Sequence, residues 1–290
     1  MILKLVCSLP MFLLQLLPAV VFAVMRIDCV ASSMSDKTDS WLYCFIPWNV
    51  TDDETVFSYE EGSDTGPEKW GTLNPEWRLC GKGKYQSPID ILKQSVRLVP
   101  GLGKLKKYYK KAPAVVVNRG HDISVRWTED AGNIEINGTY YNLIQCHWHA
   151  PAEHIFNGSR HDLELHIVHE TSDGKTAVIA ILYKYGRPDS FLSKLLPHIK
   201  SIGREEKELG IVNPGDINFG SRKYYRYVGS ITIPPCTEGV VWTILKKVRT
   251  VSREQVRALK EKVHDGYEAN ARPIQDWEGK TVSLYAPRQI

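Results

Sequence analysis

Short runs of Val, Ile, Tyr and Trp recur along the chain, separated by Gly, Asn or Asp, so the sequence favours a β-rich fold. One run, residues 177–182, is apolar throughout, which is typical of a central strand covered on both faces. We predict strands over residues 114–117, 123–127, 140–149, 163–169, 177–183 and 239–245.

Helices are few in this pattern. Ser252 and Gln255 have the spacing of a capping box, and apolar residues then recur at helical spacing. A second short helix is predicted over residues 191–200, with Pro197 limiting it. Residues 59–86 are rich in Gly, Pro and Trp, which indicates an irregular, packed segment. The pattern therefore predicts one β-dominated domain with peripheral helices.

The length of 290 residues and the hydrophobic content of 43% are enough for one large domain with a substantial core. Near the start of the chain, Lys4 is followed by an apolar stretch, which predicts a signal peptide over residues 1–31, cleaved near residue 23 or 31. Residues 32–56 form an extension to which no role is assigned. The domain is predicted over residues 57–287, with a short tail at residues 288–290.

The net charge of +4 is small, and acids are interleaved with bases, so no nucleic-acid partner is predicted. A basic run over residues 104–111 could touch an acidic partner, but a solvated loop is the preferred interpretation. Sequons for N-glycosylation begin at Asn49, Asn137 and Asn157. With the signal peptide, they predict a secreted or vacuolar glycoprotein that has no membrane anchor after signal cleavage.

The segment His147-Trp148-His149 is the first indication of a metal site. Side chains alternate between the faces of a strand, so His147 and His149 lie on one face and can share an ion. A neighbouring predicted strand offers His166, whereas His169 lies on its opposite face and is interpreted as a core histidine. A pair of hydrogen-bonded histidines in a packed sheet is the alternative interpretation of the first two.

Two polar residues favour the metal site over that alternative. Gln145 lies two residues before His147, and Glu164 lies two before His166, so each shares a face with its histidine. Metal-bound imidazoles donate their second N–H to such groups. Three neutral nitrogens with one open position indicate a catalytic zinc site rather than a closed structural one.

Four segments together resemble the alpha carbonic anhydrases: Gln86-Ser87-Pro88-Ile89-Asp90-Ile91 and residues 145–154, 164–169 and 229–235. Residues 58–62 and 235–239 look like the plant members of the family. The resemblance spans residues 57–287. It implies a β-dominated single domain with a large, twisted, mostly antiparallel central sheet and a few peripheral helices. Because some plant relatives reach chloroplasts by the secretory route, that destination is an alternative to the extracellular space or vacuole.

The resemblance implies a zinc lyase that hydrates CO2 reversibly to bicarbonate and a proton, by attack of zinc-bound hydroxide. It implies zinc ligation by His147, His149 and His166. It also implies that Thr232 orients the hydroxide and that Glu153 accepts a hydrogen bond from Thr232.

The resemblance extends to proton transfer, the substrate pocket and a disulfide. His121 matches the proton shuttle of the family. The residues that order solvent in the family are matched by Tyr59 and Asn118. The residues that line the CO2 pocket are matched by Val168, Val178, Ile231 and Trp242. The disulfide of the family is matched by Cys80 and Cys236. Cys146 faces away from the zinc and is expected to be a buried free thiol, whereas Cys44 has no evident partner.

Two other functions stay open from the sequence. A storage or binding protein is one, since the yam storage proteins resemble the chain, but many of them lack the third zinc histidine that is present here as His166. A general zinc hydrolase or esterase is the other, although no acyl-pocket motif supports it. Ile233 stands where well-studied members often carry a hydroxyl, which leaves the rate and inhibitor affinity open.

Overall fold

Strands dominate the chain, as the apolar runs predict. The computed structural model describes residues 57–277 and 280–287, which belong to one compact unit. The strands in this part of the chain are β1 (Asp90–Ile91), β2 (Val96–Leu98), β3 (Lys106–Tyr109), β4 (Ala112–Asn118), β5 (Ile123–Trp127), β6 (Gly132–Ile136), β7 (Thr139–His149), β8 (Ile155–Phe156), β9 (Ser159–Arg160), β10 (Leu163–Glu170), β11 (Thr176–Tyr185), β12 (Lys207–Val212), β13 (Tyr224–Ser230), β14 (Glu238–Leu245), β15 (Arg249–Val251) and β16 (Val282–Tyr285).

Thirteen of these strands form one sheet, and its main path runs β12-β4-β5-β7-β10-β11-β14-β13-β16-β2. Most neighbours are antiparallel, whereas β11 with β14 and β16 with β2 are parallel. A β-dominated fold with a large, mostly antiparallel sheet is thereby confirmed, as is each of the six predicted strands.

Strand β11 lies at the centre of this sheet and has apolar layers on both faces. Ile179 and Ile181 point into one hydrophobic cluster, which also contains residues of the helices. Val178, Ala180 and Leu182 point into a second cluster on the opposite face. Since a strand with two buried faces needs apolar side chains at every position, this burial accounts for its unbroken apolar run.

The helices lie around the sheet: α1 (Trp70–Leu73), α2 (Leu79–Lys82), α3 (Ser190–Ser201) and α4 (Arg253–Lys260). Short 3-10 turns cover Pro75–Trp77, Lys93–Ser95, Pro100–Leu102 and Pro214–Asp216. The capping box that starts α4 at Ser252 is confirmed. The expectation that Pro197 limits α3 was wrong, because the helix continues to Ser201. Pro197 is exposed, while the opposite face of α3 is buried in the core and stabilises the helix across the missing N–H.

Two expectations need revision. The basic run was interpreted as a solvated loop, but part of it forms β3, which pairs with β6. There, Lys106 bonds Glu135 at 2.7 Å and the Lys107 ammonium lies 3.8 Å from the Phe219 ring centroid. The segment predicted to be irregular contains α1, a 3-10 turn and α2.

The signal peptide, the extension, Cys44, Asn49 and the last three residues lie outside the described residues. No helix in residues 57–277 or 280–287 has the length and apolar character needed to cross a bilayer.

Candidate metal centre

Strands β7 and β10 bring the three predicted ligands together. The antiparallel register places His166 directly opposite His147, and His149 follows two positions later on the same face. The ring centroids lie 4.6–5.2 Å apart, and one nitrogen from each ring falls within 4.8 Å of the others. His149 and His166 are each only 1% exposed.

The outer nitrogen of each ring is held by an oxygen. His147 Nδ1 lies 2.9 Å from Gln145 Oε1, and His166 Nε2 lies 2.8 Å from Glu164 Oε1. His149 Nδ1 donates to the backbone carbonyl of Asn270 at 2.7 Å. These bonds fix the tautomers and leave His147 Nε2, His149 Nε2 and His166 Nδ1 as the converging atoms.

The converging atoms suit a zinc ion. His149 Nε2 is buried and has no hydrogen-bond partner among the described residues, which a packed histidine core would not leave. Burial lowers the pKa of His147 and of His166, so both rings are neutral and able to ligate. Three imidazoles without a fourth protein ligand are the donor set of a catalytic zinc site.

Asn270 belongs to this site, although the sequence did not indicate it. Its carbonyl accepts from His149, its side-chain oxygen accepts from Ala150 N at 2.8 Å, and its amide donates to the His121 and Trp148 carbonyls. It lies on an irregular segment after α4 and acts partly through its backbone. Neither property leaves a periodic signal in the sequence.

A buried hydrogen-bonded chain extends behind Glu164. Its Oε1 contacts His154 Nδ1 at 2.7 Å, and its Oε2 accepts from His154 N. His154 Nε2 then contacts the Tyr227 hydroxyl, which contacts Ser87 Oγ, both at 2.7 Å. Burial opposes ionisation of Glu164, but the two histidines outweigh it and hold the pKa of this carboxyl well below its usual range. The sequence did not indicate His154 or Tyr227.

Glu153 lies near the histidines, and Thr232 lies on a separate segment. Glu153 is fully buried, with Oε1 3.6 Å from His149 Nδ1 and Oε2 3.9 Å from His166 Nε2. Its Oε1 accepts from Arg272 N at 2.9 Å, whereas its Oε2 has no hydrogen-bond partner among the described residues. Thr232 is 5% exposed and lies in the loop between β13 and β14.

An apolar cluster touches the histidines through Trp242. Val178 and Trp242 are buried in the second hydrophobic cluster, against which Val168 and Ile231 pack. The Trp242 ring meets His166 edge to face, with 4.8 Å between centroids, and its indole N–H donates to Ser230 O at 3.0 Å.

His121 is more deeply buried than a turn residue would suggest, with 3% exposure. The Phe57 and Tyr267 ring centroids lie 5.7 and 6.5 Å from its own. Its Nε2 has no hydrogen-bond partner among the described residues and lies 3.6 Å from Asp122 Oδ2. Burial lowers the pKa of His121 to about 4.

Tyr59 and Asn118 differ in what their polar atoms do. Burial raises the pKa of Tyr59 well above its usual value, and its hydroxyl has no partner among the described residues. The Asn118 side chain instead donates to Lys262 O and accepts from Gly120 N. Asn118 therefore stabilises the turn between β4 and β5.

The expected disulfide between Cys80 and Cys236 is confirmed, and it ties α2 to the loop that carries Thr232. Cys146 is a buried free thiol, as predicted, and burial raises its pKa. Asn137 and Asn157 are exposed in the turns between β6 and β7 and between β8 and β9.

Comparison with known proteins gives a consistent result. The sequence model described as eukaryotic-type carbonic anhydrase matches residues 65–286. Alpha carbonic anhydrase 4 of Arabidopsis thaliana is 53% identical over 236 residues, which cover 81% of this chain and 88% of that protein. Dioscorin DB3L of Dioscorea polystachya is 48% identical over 245 residues, which cover 83% and 90%.

Solved structures agree with these sequence relatives. Dioscorin complexed with ascorbate superposes with a TM-score of 0.79 at 43% identity, covering 81% of this chain and 99% of that one. The alpha carbonic anhydrase of Thermovibrio ammonificans, complexed with the inhibitor sulfanilamide, gives a TM-score of 0.71 at 33% identity, covering 78% and 98%.

Proposed function

The chain belongs to the eukaryotic-type carbonic anhydrase family, and we propose that it is an active, zinc-dependent member. The reaction is the reversible hydration of CO2 to bicarbonate and a proton. The zinc ligands are His147, His149 and His166. The observation that carries the proposal is the convergence of three ring nitrogens within 4.8 Å, each ring oriented by an oxygen at its other nitrogen.

Zinc bound there would supply a hydroxide nucleophile near neutral pH, because in carbonic anhydrases it lowers the pKa of a bound water to about 7. Gln145, Asn270 and Glu164 orient the rings, so the site is arranged before the ion arrives. The ionised Glu164 also makes its histidine a stronger electron donor.

Glu153 and Thr232 are proposed to orient the nucleophile. Glu153 Oε2 is buried without a hydrogen-bond partner among the described residues, so it can accept a hydrogen bond from the Thr232 hydroxyl. Thr232 Oγ1 then has only its lone pairs to offer and accepts a hydrogen bond from the attacking oxygen. This arrangement directs a lone pair of that oxygen towards the carbon of CO2.

The apolar cluster suits a substrate that has no charge to bind. Val168, Val178, Ile231 and Trp242 belong to it or pack against it, and Trp242 contacts His166. A neutral molecule such as CO2 can occupy the surface of this cluster while bulk water is excluded from it. Bicarbonate is charged and is released more readily from the same surface.

Proton release needs an acceptor inside the protein. With recombination limited to about 10¹⁰ M⁻¹s⁻¹ and a water pKa of about 7, unaided release is held to about 10³ s⁻¹. Carbonic anhydrases reach about 10⁶ s⁻¹. His121 is the proposed relay, and the buried Tyr59 hydroxyl is proposed to order solvent beside it. Burial of His121 opposes its protonation by lowering its pKa.

Residues 1–31 are proposed to be a signal peptide that directs the chain into the secretory pathway, towards the extracellular space or vacuole. The exposure of Asn137 and Asn157 supports glycosylation on that route.

The function is tested by zinc content and stopped-flow CO2 hydration of the purified mature protein. We expect about one zinc per chain and measurable hydration. His166→Ala should lower zinc affinity by roughly a hundredfold or more, since losing only a partner of a ligand costs about 10–100-fold. His198→Ala is the matched control, because His198 lies on α3 outside the site.

Two results would contradict the proposal. Full hydration by His166→Ala would exclude the ligand assignment. Zinc in the wild type without hydration would instead favour a storage or binding function, which the similarity to dioscorin keeps as the second candidate.

A further inference from the structure

Two charged groups lie beside His121 in the turn between β4 and β5. Arg119 Nε donates to Asp122 Oδ1 at 2.7 Å, and Arg119 Nη2 donates to Asp122 Oδ2. The Asp122 side chain is 1% exposed, while that of Arg119 is 19% exposed. Their backbones are joined as well, since Arg119 N donates to Asp122 O at 2.9 Å. The two-pronged bond therefore fixes the carboxylate in one position.

The unpartnered nitrogen of His121 faces this carboxylate. His121 Nε2 lies 3.6 Å from Asp122 Oδ2, just beyond hydrogen-bond reach. A neutral ring tolerates that separation, but a protonated and buried ring needs an acceptor for its second N–H. A movement of Nε2 by about 0.7–0.9 Å towards Asp122 Oδ2 would bring the two atoms into a charge-assisted bond.

We propose that Asp122, held in place by Arg119, is the counter-ion of protonated His121 and so sets how strongly His121 takes up a proton. Asp122 is thus a positioning residue that acts through His121, and Arg119 acts on the same ring with the opposite sign. The catalytic importance of the pair rests on the proposed CO2 hydration, but its effect on His121 does not.

Among the described residues, few other charges lie around His121. Phe57 and Tyr267 cover the ring, and Asn270 binds its carbonyl. The titratable and charged groups that face it from its own turn, from β7 and from the segment after α4 are Asp122 and Arg119, His149, and Tyr267. Tyr59, on the N-terminal segment, faces Asp122. Asp122 is therefore the negative group that can offset the burial of the ring.

Burial lowers the pKa of His121, Asp122 raises it and Arg119 lowers it. An opposite charge within about 4–6 Å favours the charged form by about 1–3 pKa units. Loss of the carboxylate should therefore shift His121 downwards by at least about one unit, a tenfold loss of proton affinity. Loss of the guanidinium should shift it upwards.

The test is an NMR titration of the histidine rings in the full mature protein and two single variants. Asp122→Asn keeps the shape and removes the negative charge, whereas Arg119→Gln removes the positive charge. We expect the His121 pKa to fall by at least about one unit in Asp122→Asn and to rise in Arg119→Gln. His161 is the internal reference, since neither residue of the pair contributes to its pKa shift.

Opposite shifts distinguish the proposal from a merely structural role, because general loosening of the turn would move the ring in one direction for both variants. An unchanged His121 pKa in Asp122→Asn, or shifts of the same sign in both, would overturn it. If Asp122→Asn does not fold, the Arg119→Gln/Asp122→Asn double variant leaves no unpaired charge. Its His121 pKa must then lie at least about one unit below that of Arg119→Gln, and equal values would overturn the proposal.

Stopped-flow turnover in weak buffer connects the pair with catalysis. Asp122→Asn should be slower than the wild type in weak buffer and should recover when imidazole is added, because an external acceptor replaces His121. Absence of this difference would exclude a role for the pair in turnover. A wild type that does not hydrate CO2 would refute the proposed function, while the NMR shifts would still decide the proposal about Asp122.

Discussion

His166 and His169 lie on the same strand, but their side chains point to opposite faces of the sheet and have different surroundings. His166 turns one nitrogen towards the metal centre, whereas His169, on the other face of β10, is fully buried in the sheet. The Tyr109 hydroxyl contacts His169 Nε2 at 2.8 Å, and His169 Nδ1 donates to Ala177 O at 3.3 Å. Both ring nitrogens of His169 are therefore used by the neutral ring, and its burial disfavours a second, charging proton.

Because His169 is buried as a neutral ring, we expect the protein to lose stability in acid. Burial lowers its pKa to about 3. Below about pH 6.5 the unfolded chain binds a proton at this ring that the folded chain refuses, so the stabilisation is complete above 6.5 and declines as pH falls towards 3. Between pH 6.5 and 4.5 the ring alone should lower the free energy of unfolding by about 2–3 kcal/mol.

Denaturant unfolding of the wild type and of His169→Leu at several pH values measures this effect. The variant is less stable at pH 7, because the Tyr109 hydroxyl loses its partner, but its stability should depend less on pH. Tyr109→Phe is the control, because it removes the same hydrogen bond but keeps the His169 ring, and it should retain the pH dependence of the wild type. Parallel curves for His169→Leu and the wild type would contradict the prediction.

At the scale of elements, buried strands were the predictable part of the fold. The sequence of β11 is apolar because both of its faces are buried, and the turn residues that flank it end the pattern clearly. Strand β12 was missed because it pairs on one side only and carries Lys207 and Glu208 at its start and an exposed Ile211. At such an edge, charge is favoured and the apolar alternation is lost.

The residues of the site also differ in whether the sequence could predict them. Gln145 and Glu164 could be found because they share a strand face with a histidine, so the period of two applies to them. Asn270 and Arg272 could not, since they lie on an irregular segment that is positioned by tertiary contacts. Arg272 is 1% exposed and donates to Gln86 Oε1, Ser87 O and Cys80 O, while its backbone N–H reaches Glu153.

Gln255 joins the two longer helices, α3 and α4, through its side chain. Its Oε1 accepts from Asp189 N and Ser252 N, and its Nε2 donates to Asp189 O and Ser193 Oγ. Gln255→Leu would leave the buried Asp189 N–H unpaired, at about 1–3 kcal/mol, whereas Asp189 O would still accept from Ser193 N and Ser193 Oγ. Ser252→Ala removes only a cap and should cost about 1 kcal/mol.

Urea unfolding of both variants measures this difference. Gln255→Leu should lose clearly more free energy of unfolding than Ser252→Ala, with an unchanged m-value because the same surface is exposed. Equal losses would show that the side chain of Gln255 acts only as part of the capping box.

At the scale of the whole molecule, the site is assembled from segments that are distant in the sequence. The histidines come from two central strands and Asn270 from the segment after α4, while Thr232, which is proposed to orient the nucleophile, lies in a loop. A cluster of Phe57, Tyr59, Trp70, Tyr267 and the disulfide packs the N-terminal segment against this assembly. The disulfide therefore links α2, near the start of the described residues, to the loop between β13 and β14.

Removing the disulfide tests whether the covalent bond stabilises the protein and positions the Thr232 loop. The bond joins residues 156 positions apart, and a loop of that length should contribute about 5 kcal/mol through the unfolded chain, or about 2–5 kcal/mol by comparison with native disulfides. The Cys80→Ala/Cys236→Ala variant should therefore unfold at lower denaturant and should no longer respond to added reductant. Because Cys236 lies four residues after Thr232, CO2 hydration should fall even where the variant is fully folded, since the Thr232 loop loses its tether. A folded variant with unchanged hydration would show that packing of the cluster, rather than the covalent bond, positions Thr232.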